Sequence, residues 1–139
     1  MNIEYKINAD LSPEQFIDLL KRSTLSERRP IDDKNCIEGM LKNSNLSVTA
    51  WNSGTLIGIA RSVTDFSYAC YLSDLAVSKC HQKKGVGKQL LSITQKQLGP
   101  KCKLILVAAP AANAYYEKIG FQRNERCWIL ERSHRIGQR

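Results

Sequence analysis

The residues best suited to chemistry stand in one run, Gln82-Lys83-Lys84-Gly85-Val86-Gly87. The run joins a strand-like segment, residues 69–77, to a helix-like one, residues 86–98. The first N–H groups of a helix lack intrahelical acceptors, and the macrodipole adds partial positive charge there, so a glycine-rich turn with flanking lysines suits a phosphate. Gly85 and Gly87 remove the Cβ atoms that would hold an oxyanion away, and both are expected to allow backbone angles closed to other residues. Lys83, Lys84 and Lys88 add charge. The chemistry implied is a backbone grip on a diphosphate. Gln82 and Gln89 stand where a P-loop needs its first glycine and its hydroxyl, and Leu90 replaces the third glycine of the dinucleotide fingerprint. An ordinary strand-to-helix loop with solvated lysines fits the same six residues, so their surroundings must decide.

Those surroundings are Tyr71-Leu72-Ser73-Asp74-Leu75-Ala76-Val77, then Ser78-Lys79-Cys80-His81, then the glycine turn. Together they resemble the signature of GNAT-superfamily N-acetyltransferases, a strand ending in Asp-Leu-x-Val followed by Gln/Arg-x-x-Gly-x-Gly/Ala. Further on, Ala108 through Phe121, with Tyr115-Tyr116-Glu117-Lys118-Ile119-Gly120-Phe121, resembles the family's later Tyr-Glu-Lys-Leu-Gly-Phe segment. The resemblance covers roughly residues 46–121. It implies a single-domain α/β (α+β) fold, a mixed and mostly antiparallel sheet flanked by helices, over residues 1–132, with residues 133–139 a basic tail. It also implies direct acetyl transfer from acetyl-CoA to a primary amine, of a small molecule or of a protein, without a metal.

By the same resemblance, backbone groups at Leu75, Ala76 and Val77 bond the pantetheine chain as an added strand would. The diphosphate meets the N–H groups of Gln82, Lys83, Lys84, Gly85, Val86, Gly87 and Lys88. Tyr116 matches the tyrosine that protonates the departing thiolate, with Tyr115 pointing about 100° away on the same helix. Many members carry an asparagine before that tyrosine. Ala109 and Pro110 occupy the comparable region here, leaving Asn113 as a contact to the cofactor. The glutamate that some members use as general base has no counterpart. Tyr71 falls nearest in register and Asp74 is the closest carboxylate, so the base is Asp74 or an ordered water.

Length and composition agree. A chain of 139 residues fits one domain that buries roughly two-thirds of its unfolded surface. The formal charge of +8 suits an anionic cofactor. It also allows nucleic acid, but without an arginine-rich arm, zinc-finger spacing or aromatic RNP run it favours such a partner only weakly, and nucleic acid is not expected. Cys36, Cys70, Cys80, Cys102 and Cys127 are odd in number and scattered, which reads as free thiols in a cytoplasmic protein. Adjacent Cys80 and His81 lack the orienting base and oxyanion site that a thiol nucleophile needs. No apolar run approaches the ~20 residues of a membrane span, and the polar start is unlike a signal peptide. Homodimerisation is left open. The reading from another class is a non-catalytic CoA-binding or nucleic-acid-binding module on the same fold.

The elements that must position these residues follow from periodicity. A strand over residues 3–7 precedes Ser12-Pro13-Glu14-Gln15, which combines an N-cap, a first-turn proline and a capping-box glutamine for a helix to about Lys21. Residues 23–30 read as a mobile connection or a helix end, and residues 32–41 as a second helix; in the family this region helps form the acceptor site. Asn52-Ser53-Gly54 turns strand 46–51 into strand 55–63. Helix 86–98 ends at Gly99-Pro100. Residues 104–108 read as a strand buried on both faces, 111–119 as the last helix and 126–131 as a terminal strand.

Overall fold

Ser12 starts the first helix as its sequence predicts: its hydroxyl accepts from the Gln15 N–H at 3.1 Å and the Gln15 carboxamide accepts from the Ser12 N–H at 3.0 Å. In the computed structural model, which describes residues 2–138, the elements run β1 (Ile3–Ile7), α1 (Pro13–Ser23), α2 (Lys34–Asn43), β2 (Leu46–Asn52), β3 (Thr55–Thr64), β4 (Ala69–Val77), α3 (Val86–Lys96), β5 (Lys103–Ile105) and α4 (Asn113–Lys118). The two ends of the expected domain and tail, Met1 and Arg139, lie outside the described residues. The chain divides into two compact units, Met1–Val107 and Ala108–Arg139, each described by itself.

The first unit is a five-stranded sheet in the order β1-β2-β3-β4-β5, antiparallel except for the parallel β4–β5 pair. Ser53 and Gly54 both take positive φ, 50° and 82°, the geometry of the tight turn that matches strand twist in a two-residue hairpin. On one face, Phe16, Leu19 and Leu20 of α1 recur at helical spacing and pack with Ile37, Leu56, Ile59 and Ala76. On the other, Val86, Leu90 and Leu91 of α3 are buried. Gly58 lets that helix sit close: a Cβ there would stand 3.1 Å from a Leu90 methyl and 3.4 Å from a Val86 methyl. The start of α3 is thereby fixed over the middle of the sheet.

Several expectations need correction. The second helix starts at Lys34 because Asp33 caps it, its carboxylate accepting from the Cys36 N–H at 3.0 Å. Residues 23–30 are organised by a 3₁₀ turn, Leu25–Arg28, and anchored by Arg29, as described below. The strand expected over residues 104–108 shrinks to Lys103–Ile105 and is not covered on both faces; as the sheet edge, it leaves Ile105 39% exposed. The last helix begins later, at Asn113, after a 3₁₀ turn over Pro110–Ala112. Residues 126–131 form no strand. Asn124 folds the chain back on itself there, its side chain accepting from the Arg126 N–H at 2.8 Å and its carbonyl from the Cys127 N–H. Trp128 is left 89% exposed, because strand propensity has no effect without a partner strand.

Candidate functional site: the outer edge of the fourth strand and the start of the third helix

In an antiparallel pair, alternate residues direct both main-chain polar groups at the neighbouring strand. The Ser78 N–H donates to the Ile57 carbonyl at 2.8 Å, and the register pairs Ala76 with Ile59 and Asp74 with Arg61. These residues therefore spend their backbone groups on β3, and Ala76 puts its methyl into the core. Leu75 and Val77 point the other way. The β5 pairing covers only Ala69, Cys70 and Tyr71, so beyond Tyr71 no described strand pairs the outer edge of β4. One outward group is engaged: the Gln82 side chain donates to the Val77 carbonyl at 2.9 Å.

The chain then enters the glycine turn. Lys83 and Gly85 both adopt left-handed backbone angles, φ 62° and 83°, and Gly85 is the N-cap of α3. No side chain caps this helix, so its first N–H groups remain available to an anion. A Cβ at Gly85 would meet nothing within 4 Å, which leaves the approach open. Gly87, by contrast, lies inside α3 with ordinary helical angles; of the two benefits expected of it, only the missing side chain applies. Lys83, Lys84 and Lys88 are exposed around the turn. His81 faces Asn52, Nε2 to Nδ2 at 3.3 Å, and not its neighbour Cys80.

Asp74 is fully buried. It accepts from Arg29 Nε on one oxygen and Arg61 Nε on the other, both at 2.5 Å. Opposite the Arg61–Ser62 step of β3, β4 carries one extra residue, Ser73, and this bulge supplies further acceptors. Arg29 Nη2 donates to the Ser73 carbonyl at 2.7 Å and Arg61 Nη2 to the Ser73 hydroxyl at 3.0 Å. With its side chain fully buried and both oxygens taken up by guanidinium groups, Asp74 offers no oxygen to an incoming amine and is set aside as the base. Sequence reasoning missed Arg29, Arg61, Gly58 and Asn52. Only the isolated charge of Arg61 in an otherwise apolar strand could have signalled any of them.

In the second unit, α4 ends in a motif that accounts for the spacing of Tyr116, Gly120 and Phe121. The Phe121 N–H reaches the Tyr116 carbonyl at 2.9 Å, the Gly120 N–H reaches the Glu117 carbonyl at 3.3 Å, and Gly120 takes φ 108°. The Phe121 ring then meets Tyr116 edge-on, and Tyr115 meets Tyr116 likewise at 5.4 Å between centroids. Burial pushes the Tyr115 hydroxyl above its ordinary pKa. Asn113 is exposed in the first turn.

A separate cleft of about 580 Å³ opens between the β1–α1 connection and the end of α2, floored by Ile59 and Arg61. None of the sequence-predicted site residues lines it.

An uncapped helix start thus follows an unpaired strand edge on a mixed five-stranded sheet. The model of the acetyltransferase (GNAT) domain matches residues 8–127, and the chain belongs to that family. A relative from Prochlorococcus marinus, described as an uncharacterized N-acetyltransferase ycf52-like, is 30% identical over 121 residues, covering 83% of this chain. This chain spans 62% of the length of that relative. A GNAT-family acetyltransferase of Streptococcus pneumoniae superposes with a TM-score of 0.74 at 18% identity, covering 93% of this chain and 98% of its own. The aminoglycoside N-acetyltransferase AAC(6')-Iy, solved in complex with CoA, gives 0.71 at 20% identity, covering 94% of each. The GNAT fold expected from the sequence is therefore present, as an α+β domain with four helices and five strands among the described residues. No described helix is long and apolar enough to cross a membrane.

Proposed function

We propose that this protein transfers an acetyl group from acetyl-CoA to a primary amine by direct attack, with residues 1–132 acting as one domain in the cytoplasm. The carrying observation is the uncapped α3 start at Gly85 standing next to the unpaired β4 edge at Leu75 and Val77. The N–H groups of residues 83–88 fit a diphosphate, that of Gln82 being turned to the Lys79 carbonyl at 3.5 Å, and the outward groups of Leu75, with the Val77 N–H, fit the pantetheine amides. Acetyl-CoA supplies the activated thioester. The amine nitrogen forms the new bond to the acetyl carbon as the carbon–sulfur bond breaks. Tyr116 gives its proton to the sulfur, and an ordered water takes one from the amine, since Asp74 is committed to Arg29 and Arg61. Asn113 is assigned a contact to the cofactor by its closeness to Tyr116 in sequence.

The acceptor class is an amine, and aminoglycosides belong in the test panel because AAC(6')-Iy carries that substrate in its name. The test is CoA release from acetyl-CoA against pooled amines and peptides, beside a melting curve with acetyl-CoA. Saturation at ~100 times the dissociation constant adds about 2.7 kcal/mol of stability. A melting temperature unmoved by millimolar acetyl-CoA overturns the proposal. A shift without thiol release from any amine favours the non-catalytic CoA-binding module.

A further inference from the structure

The segment that carries the chain from β4 into the anion-binding turn is tied to three strands. The Ser78 N–H donates to Ile57 of β3 at 2.8 Å, the Gln82 carboxamide to Val77 of β4 at 2.9 Å, and His81 meets Asn52 at the end of β2. Between these ties the segment closes a 3₁₀ turn, Lys79–His81, in which the His81 N–H reaches the Ser78 carbonyl at 2.8 Å.

The tie to Asn52 differs in kind, because it joins two side chains 29 residues apart. Asn52 opens the tight β2–β3 turn, whose two central residues are locked at positive φ, so it is a fixed post. The Asn52 carboxamide meets Nε2 of the ring, and the other ring nitrogen, Nδ1, is buried without a hydrogen-bond partner, so the contact with Asn52 is the hydrogen bond that holds the imidazole. Two residues downstream Lys83, which is not a glycine, holds a left-handed conformation of the sort that persists only where surrounding contacts impose it.

We propose that His81, acting through Asn52, is a positioning residue for the acetyl-CoA diphosphate. The pair fixes the Gln82–Gly85 turn, and with it the first N–H groups of α3, relative to the outer edge of β4. This inference rests on the function proposed above and adds to it a requirement on two residues outside the glycine turn. Loss of the pair weakens cofactor binding and leaves the chemical step alone, because neither side chain reaches the reacting atoms.

The experiment measures acetyl-CoA affinity by calorimetry, and KM and kcat with any amine that turns over. It uses wild type, Asn52→Ala, His81→Ala, the double variant, and His81→Gln, whose carboxamide restores a hydrogen-bonding partner for Asn52. Each alanine variant is expected to bind acetyl-CoA about two- to tenfold more weakly, the range one hydrogen bond carries, with kcat unchanged. The double variant should lose no more than the worse single one, and His81→Gln should recover most of the loss. If Asn52→Ala does not fold, the His81→Ala and His81→Gln pair carries the test. Alanine variants that bind like wild type, that lose kcat instead, or whose losses add, overturn the positioning role while acetyl-CoA binding by wild type stands. A wild type that does not bind acetyl-CoA overturns the proposed function itself.

Discussion

The ring of Phe121 meets that of Tyr116 edge-on, with centroids 5.5 Å apart and planes inclined by 75°, while its N–H bonds the Tyr116 carbonyl. Closing the helix and orienting the tyrosine are thus one structural event. The left-handed turn at Gly120 brings the ring two residues past the helix end back over its last turn.

Tyr116→Phe keeps the ring and this packing and removes the hydroxyl. Turnover is expected to fall by about 10² to 10⁴-fold, the usual contribution of positioned acid catalysis, with acetyl-CoA affinity little changed. Tyr115→Phe is the matched comparison and should be mild. Equal turnover of Tyr116→Phe and wild type in a chemistry-limited assay reduces Tyr116 to a packing residue.

Asp74 offers a contrast, since its role is assigned to the fold. Removing it leaves two guanidinium groups without their carboxylate, Arg61 being 5% exposed and Arg29 about one-fifth. Breaking a buried pair on one side costs about 3–5 kcal/mol, so Asp74→Ala should melt far below wild type. A variant that melts normally but has lost activity would return Asp74 to the list of candidate bases.

At the glycine turn, Gly85→Ala is expected to raise the KM for acetyl-CoA, because φ 83° strains any side chain even where space is open. Gly87→Val should raise it by standing over the helix start, with no comparable backbone strain. Lys83→Ala removes one exposed, screened charge and should do least. A larger effect from the lysine would mean that side-chain charge holds the diphosphate.

The β3–β4 loop gives a pH-dependent test of stability. N–H groups of Tyr68, Ala69 and Ser67 bond the Asp65 carboxylate and hold its pKa below the usual 3.8. A lowered carboxylate pKa stabilises the fold above the unfolded value, and that contribution is lost as pH falls through the folded value. Asp65→Asn should therefore melt below wild type at pH 7, with the gap closing below about pH 4. A gap that stays constant with pH shows that charge at Asp65 is immaterial.

The sequence by itself determined whatever depends on neighbours along the chain. The Ser12 capping box, the Ser53-Gly54 turn, β1, β4 and the start of α3 at Val86 all lie where local chemistry puts them. The glycine turn was legible for the same reason: glycines between a strand and a helix make a local signal. What only the tertiary structure decided depends on residues far apart in the chain. The bonds of Asp74 to Arg29 and Arg61, the seat of α3 on Gly58 and the contact of His81 with Asn52 each span 13 or more residues, and no periodicity records them. The failure of residues 126–131 to form a strand has the same cause. Strand composition is local, but a strand exists only when another strand takes up its hydrogen bonds.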